Sequence, residues 1–598
     1  MTLDPLPILQ STFGFPAFRG VQGSVVERVL AGRNTLAVMP TGAGKSLCYQ
    51  LPALALPGTC VVVSPLIALM HDQLRAATAI GISAATLTSV DTDQMETIAR
   101  FRRGELDLLY VAPERASSGS FRDLLGQAPL ALFAIDEAHC VSEWGHDFRP
   151  DFRLLRPLLD AFPSVPRLAL TATADAHTRA DILDQLGIPH EGMIVAGFDR
   201  PNIQYRISPK DNATRQIADL IAETPGAGIV YVQSRAGTEK MAEALAKTGR
   251  PTRAYHAGLD PAVRARNQAD FVASEDMVMC ATVAFGMGID KPDVRFVCHA
   301  DLPSNVEAYY QEIGRAGRDG LPADTLTLYG LGDMQLRRLQ IEQGDSSDER
   351  KRIERQRLNA LLALAEAPRC RRQTLLAYFG EASEPCGNCD LCVEGVELFD
   401  ATVDAQKAMS AIVRTGERFG MEHLVAILTG DLTDNVAKFK HDALPTFGVG
   451  KNRKATDWRS IFRQLSAVGL IAQDLMEHGR WWVTDEGWSV LKGRQKVELR
   501  KIAASATSKG ERRGRAAAPP IVSDADSELL DSLRTLRTRL ARAQNVPAYV
   551  VFSDRTLVEL ATHRPSTLAA MREIHGIGDA KLERYGAEFL AVMEPRAS

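Results

Sequence analysis

Over the first 330 residues, short uncharged runs alternate with stretches in which apolar residues recur at helical spacing. Val61-Val62-Val63, Leu108-Leu109-Tyr110-Val111, Leu132-Phe133-Ala134-Ile135 and Leu168-Ala169-Leu170 have no polar face. Such runs predict strands covered on both sides in a parallel sheet. A second series starts after about residue 200. It comprises Gly228-Ile229-Val230-Tyr231-Val232, Arg253-Ala254-Tyr255-His256, Met277-Val278-Met279-Cys280 and Arg295-Phe296-Val297-Cys298. Two such series predict an α/β protein with two successive parallel-sheet lobes, joined near Asp199-Arg200-Pro201-Asn202.

The pattern turns helical from about residue 333, where a charged stretch leads into Leu358-Asn359-Ala360-Leu361-Leu362-Ala363-Leu364-Ala365. Short helical patterns follow between 406 and 500, and Leu470-Ile471-Ala472 and Trp481-Trp482-Val483 flank a His478-Gly479 turn. Helices followed by a small hairpin suggest a winged helix. Residues 503–523, rich in Ala, Ser, Lys, Arg and Pro, read as a flexible linker. Beyond them Leu529, Leu533, Leu536 and Leu540 mark one face of a helix in a last, small helical domain.

A length of 598 residues calls for several domains, and 45% hydrophobic with 24% charged residues excludes a disordered or fibrous chain. The net charge of −4 gives no global basic signature, so a nucleic-acid ligand must be argued from local patches. One such patch exists: residues 434–515 hold 17 Lys+Arg against 9 Asp+Glu. Within it Lys451, Arg453, Lys454, Arg459 and Arg463 gather around a predicted helix, as a phosphate footprint or a solvated face. Residues 51–70 carry no charge, but Pro52, Pro57, Gly58 and Pro65 break them as a membrane span. The start of the chain lacks the pattern of a secretory signal, and the expectation is a soluble, cytoplasmic protein.

Candidate chemistry begins with Met39-Pro40-Thr41-Gly42-Ala43-Gly44-Lys45-Ser46, between a predicted strand and a predicted helix. Glycines let main-chain N–H groups cradle phosphate, Lys45 would neutralise β/γ charge, and Ser46 would ligate Mg²⁺. The strict motif has glycine where Met39 stands. Asp136-Glu137-Ala138-His139 ends a predicted strand, where Asp136 could hold Mg²⁺ and Glu137 could polarise an attacking water. His139 is placed to sense nucleotide. In the second series, Arg315 and Arg318 are three apart, as on one helix face, either solvated or suited to γ-phosphate charge. Cys370, Cys386, Cys389 and Cys392 supply four thiolates, the number of a closed structural Zn²⁺ site; two of them could instead be redox-active, but three at x2 spacing with a fourth favour zinc. Cys48, Cys60, Cys140, Cys280 and Cys298 read as buried, reduced singles.

Together these motifs resemble those of superfamily 2 helicases, with Thr171-Ala172-Thr173 and residues 311–318 completing the order. Further segments resemble the RecQ family of DNA helicases: Phe18-Arg19-Gly20-Val21-Gln22, the aromatic-rich loop of residues 140–150, and residues 281–291. The resemblance spans essentially the whole chain. It implies RecA-like lobes at 1–200 and 201–335, a helical zinc-binding subdomain at 336–405 and a winged helix (RQC) at 406–502. An HRDC domain at 524–598 follows the linker. It implies ATP, Mg²⁺ and Zn²⁺ as cofactors, with Gln22, Thr41, Gly42, Gly44, Lys45 and Ser46 binding nucleotide. Lys45, Asp136, Glu137, Arg315 and Arg318 would be catalytic.

His139, Trp144, Phe148 and Arg149 would couple DNA to hydrolysis, although Trp144 and Phe148 could instead fill a core. Tyr549 could stack a base, and Gly576-Ile577-Gly578 could offer N–H groups to phosphate, or both could serve a small helical core. The wing tip carries His478 where long-winged relatives carry an aromatic residue. The implied activity is ATP-driven 3′→5′ translocation on single-stranded DNA with unwinding of duplex and branched DNA. Recombination, repair and replication-fork maintenance are the implied settings. The implied protein is a bacterial, nucleoid-associated monomer that works beside single-strand binding protein. An RNA helicase or double-strand translocase, and a DNA-binding regulator with a degenerate ATP fold, are the competing readings. The zinc, winged-helix and aromatic-loop features weigh against the first, and the full set of Lys45, Ser46, Asp136, Glu137, Arg315 and Arg318 against the second.

Overall fold

A computed structural model describes residues 4–143, 145, 148–285, 291–344, 346–474, 480–501, 524–544 and 546–593. Trp144, His478 and the linker read at 503–523 lie outside the described residues.

The first sheet holds seven strands: β1 (Thr35–Val38), β2 (Thr59–Val63), β3 (Ala84–Leu87), β4 (Leu108–Val111), β5 (Leu130–Ile135), β6 (Arg167–Thr171) and β7 (Met193–Val195). They are parallel, in the order β3-β4-β2-β5-β6-β1-β7. The second sheet holds β8 (Ile203–Pro209), β9 (Ala227–Tyr231), β10 (Thr252–Tyr255), β11 (Val278–Ala281), β12 (Val294–His299) and β13 (Ala323–Tyr329). These too are parallel, in the order β10-β11-β9-β12-β13-β8. Residues 196–202 run between the two sheets.

All eight expected strands form. Each residue of β2, β4 and β6 is buried, as the lack of a polar face requires. Four further strands, β3, β7, β8 and β13, were not expected, and two of them are hidden from hydropathy for physical reasons. β8 is an edge strand with alternating burial, so half its positions are polar. β13 is wholly buried yet carries Asp324, Thr325 and Thr327, each hydrogen-bonded inside: Thr224 to Asp324, Thr325 to the Gln204 carbonyl, and Thr327 with His299.

The uncharged run 51–70 resolves into the end of the helix Leu47–Ala55, strand β2 and the start of the helix Ile67–Ala79. No described helix is long and apolar enough to cross a membrane. The five single cysteines are buried and reduced.

A long helix, Asp348–Ala365, leads to the helices Arg371–Tyr378 and Asp390–Glu394; Cys370 and Cys389 stand at their N-cap positions, Cys392 lies in the second, and Cys386 lies in the loop between them. Next come the helices Thr402–Arg414, Met421–Thr429 and Ala455–Ala467, enclosed by the strand pair β14 (Leu398–Asp400) and β17 (Glu498–Arg500). The antiparallel strands β15 (Ile471–Asp474) and β16 (Arg480–Val483) form the wing, over a core in which Trp458, Phe462 and Trp481 are buried. The C-terminal helices, from Asp524–Ala543 to Asp579–Met593, close over Leu533, Phe552, Leu557, Leu560 and Phe589.

Candidate active site

Strands β5, β6 and β1 are neighbours, so Asp136, Thr171 and the loop 39–46 come together at the carboxyl ends of one sheet, where open α/β sheets bind ligands. Gly42 and Gly44 stand at φ +82° and +74°, a left-handed backbone that glycine adopts without strain. A Cβ on Gly44 would lie 2.6 Å from Gln22 Nε2. Thr41 Oγ1 is buried with no hydrogen-bond partner among the described residues. A loop stripped of side chains, an unsatisfied hydroxyl and the Lys45 cation suit phosphate. Gln22 is buried and locks the loop from outside: it accepts the Arg19 N–H at 2.9 Å and donates to the Ala43 carbonyl at 2.8 Å.

Burial and the neighbouring Glu137 charge push the Asp136 carboxyl up to about 6, while Lys45 pulls it down. Gln73 donates to Asp136 at 3.3 Å, a contact that no sequence pattern signals because Gln73 is one polar residue on an ordinary helix. Glu137 takes a left-handed φ of 49°, uncommon without glycine and marking a tight turn. Its carboxylate is 3.4 Å from His139 Nδ1, and the same nitrogen is 3.1 Å from Thr171 Oγ1. Burial holds His139 down at about 3, helped by Lys45 and Arg149, so the ring is neutral at working pH.

The second lobe presses on this face. Gln311 donates to Thr173 Oγ1 at 3.0 Å, and a Cβ on Gly314 would stand 2.5 Å from Thr41 Oγ1. Arg318 lies against the phosphate loop: a Cβ on Gly42 would be 3.2 Å from its Cγ. Arg315 is buried. The expectation that these arginines share a helix face is corrected. The helix Val306–Ile313 stops at Gly314, and both sit in the turns beyond it. Gly317 at φ +54° allows that path, which brings the loop within reach of the other lobe.

The four cluster cysteines converge, every Sγ within 4.8 Å of the others. Cys370–Cys389 and Cys386–Cys392 are 3.9 and 4.0 Å apart. A regular tetrahedron with Zn–S bonds of about 2.3 Å has edges of about 3.8 Å, so the set fits zinc and leaves no open position. The hydrogen bond from Cys386, with main-chain N–H donors behind it, lowers Cys389 to about 5 against the effect of burial.

Five family models match in chain order: DEAD/DEAH box helicase over 19–182, helicase conserved C-terminal domain over 212–320, RecQ zinc-binding over 331–393, RQC domain over 395–508 and HRDC domain over 526–593. The chain is 41% identical to the ATP-dependent DNA helicase RecQ of Haemophilus influenzae, over 98% of its length and 95% of that protein. It is 36% identical to the Bacillus subtilis protein of the same name, over 99% and 98%. The chain belongs to the RecQ family. It is an ATP-dependent DNA helicase, with ATP and zinc sites and DNA as its ligand.

In this RecQ-family chain the loop after His139 is tied to its surroundings at several points. Arg149 donates to the Pro65 carbonyl at 2.8 Å, Arg153 stacks over Phe148 at 5.5 Å, and Arg350 of the long helix donates to the Gly145 carbonyl at 3.0 Å. Of the winged-helix cations, Arg453 pairs with Asp404 at 2.6 Å and Arg463 with Glu366 at 3.3 Å. Arg459 makes a two-pronged pair with Glu422. These carboxylates offset the local positive charge that the sequence count suggested. Tyr549 is half-buried in the helix Ala548–Val551. The Gly576 N–H, read as a candidate phosphate donor, is taken up by the Gly14 carbonyl at 3.2 Å.

Proposed function

We propose that this helicase moves 3′→5′ along single-stranded DNA and separates duplex and branched substrates in recombination, repair and replication-fork maintenance. ATP sits between the lobes with its phosphates on Thr41, Gly42, Gly44 and Lys45, and Gln22 faces the adenine. Ser46 and Asp136 hold Mg²⁺, whose charge supports phosphoryl transfer when bound. Glu137 orients the attacking water, and Arg315 and Arg318 meet the charge that develops on the γ-phosphate. His139, Trp144, Phe148 and Arg149 report DNA to this site, and Tyr549 contributes a stacking surface. The working unit is a monomer on the nucleoid, with single-strand binding protein as a partner.

The observation that carries this reading is the contact chain across the lobe interface. It runs from Glu137 through His139 and Thr171 on one side, and through Thr173 and Gln311 to the arginine-bearing turns on the other. Any change at the γ-phosphate is thereby felt in both lobes. Unwinding of duplexes with a 3′ or a 5′ single-stranded tail tests the polarity. Strand separation of the 3′-tailed duplex alone is the expected result, and equal rates on both would overturn it.

A further inference from the structure

Arg200 lies in the connection between the two sheets, and its guanidinium reaches into the seam between the lobes. Nη1 donates to the Thr41 carbonyl of the phosphate loop at 2.6 Å and to Gly314 at 3.2 Å. Nη2 donates to Ala316 and Gly317, each at 3.0 Å. One planar cation thus binds the main chain on both walls of the ATP cleft, including the carbonyls that flank Arg315. Two residues on, Asn202 Nδ2 donates to the carbonyls of Gly317 and Leu321 at 2.8 Å and fixes the far end of the same turns.

The main chain that carries Arg200 is held in turn by the zinc-binding subdomain. Arg372 donates to the carbonyls of Arg200 and Ile203 at 3.1 and 2.7 Å, and pairs with Asp199 at 3.3 Å. The Phe198 N–H donates to Glu381 at 2.6 Å, and the Phe198 ring stacks on Phe379 at 4.5 Å. Asn388, between two zinc-site cysteines, donates to the Pro201 carbonyl at 3.3 Å.

We infer that Arg200 is a positioning residue for hydrolysis: its fork sets the spacing between the phosphate loop and the arginine-bearing turns, on a segment anchored by the zinc-binding subdomain. The inference rests on the assignment of Arg318 to transition-state charge. Only a planar fork can serve four carbonyls spread over two lobes. A lysine keeps the charge but is a point donor on a flexible stem. Loss of the fork leaves Lys45 and the nucleotide cradle in place and lets the arginine turns drift, which costs turnover rather than binding. A displacement of about 1 Å at such a site costs roughly 10²-fold.

The test is DNA-stimulated ATP turnover and nucleotide affinity of the full chain for Arg200→Lys, Arg200→Ala, Arg318→Ala and the Arg200→Ala/Arg318→Ala double variant. The expected result is a fall in kcat of roughly 10–10²-fold for both Arg200 variants, with nucleotide Kd changed by less than about 3-fold. The double variant is expected to be slower than Arg318→Ala by much less than the Arg200→Ala factor, because Arg200 acts through the turns that carry Arg318 and, beside it, Arg315. Multiplicative losses in the double variant, or an Arg200→Lys enzyme with normal kcat, would overturn the inference. Arg200→Lys also decides the matter if Arg200→Ala unfolds. Normal turnover in Arg318→Ala would instead refute the arginine assignment, and a slow Arg200→Lys beside it would show that Arg200 works by another route.

Discussion

Lys45 is the residue on which the nucleotide reading turns, and its surroundings say what its removal does. Its ammonium contacts the Met39 carbonyl at 3.5 Å and is a cation that lowers the Asp136 pKa. Lys45→Ala removes the charge proposed to face the β/γ-phosphates and leaves two adjacent carboxylates, Asp136 and Glu137, without that counter-charge. ATP turnover should fall by at least about 10²-fold, the scale seen when a charge-stabilising donor is deleted. Affinity for single-stranded DNA should stay within a few-fold, because the proposed role of this loop is to hold nucleotide phosphate and not the DNA backbone. Steady-state ATPase and fluorescence anisotropy with labelled DNA check the two halves, and near-normal turnover would remove the assignment.

The zinc-binding element gains its importance from what it touches. Asp390, next to Cys389, pairs with buried Arg371 at 3.1 Å and accepts the Ile207 N–H of β8 at 3.1 Å. Arg371 also donates to Leu364 and Ala365, each at 2.8 Å, so one buried pair joins the second lobe, the long helix and the cysteine loop. Breaking either partner would leave an uncompensated charge inside. A bound structural zinc contributes on the order of 10 kcal/mol to local folding. Cys389→Ser should therefore lose zinc by elemental analysis and melt at a lower temperature than the parent. A variant that keeps both its zinc and its melting temperature would contradict the four-cysteine site.

Across the molecule, the C-terminal domain closes a ring by touching both lobes. The Gly576 N–H meets the Gly14 carbonyl, His575 packs on Phe15 at 5.3 Å, and Arg537 pairs with Glu275 of the second lobe at 2.8 Å. Burial, with Arg19 and Arg555 nearby, lowers His575 to about 4, and neither ring nitrogen has a hydrogen-bond partner among the described residues. Undocking takes Arg19 and the cover of Phe15 away from His575 and raises its affinity for a proton, so the undocked domain binds a proton that the docked one excludes. Docking thus holds near neutral pH and weakens as pH falls toward 4. Small-angle scattering at pH 7.5 and 5 should show expansion on acidification, and His575→Gln should flatten that response. A scattering profile unchanged by pH would refute it.

Which features were legible in the sequence follows from the range of the forces involved. Strands with no polar face, the phosphate loop, the strand-ending Asp136-Glu137 pair and the cysteine spacing are local patterns, set by steric and ligand rules within a few residues. The family resemblance rests on those patterns. The edge strands β3, β7 and β8 and the buried β13 were missed; in β8 and β13 edge placement and internal hydrogen bonding allow polar residues that hydropathy reads as exposed. Arg315 and Arg318 were read on a helix because spacing alone does not reveal where Gly314 ends it. Arg200 was read only as part of the lobe junction, since four carbonyls from distant segments have no sequence signature. The chain alone thus determined which chemical groups are present and in what order. Only the packing of the lobes on each other and on the zinc-binding subdomain decided which of them meet, because those contacts join segments more than a hundred residues apart.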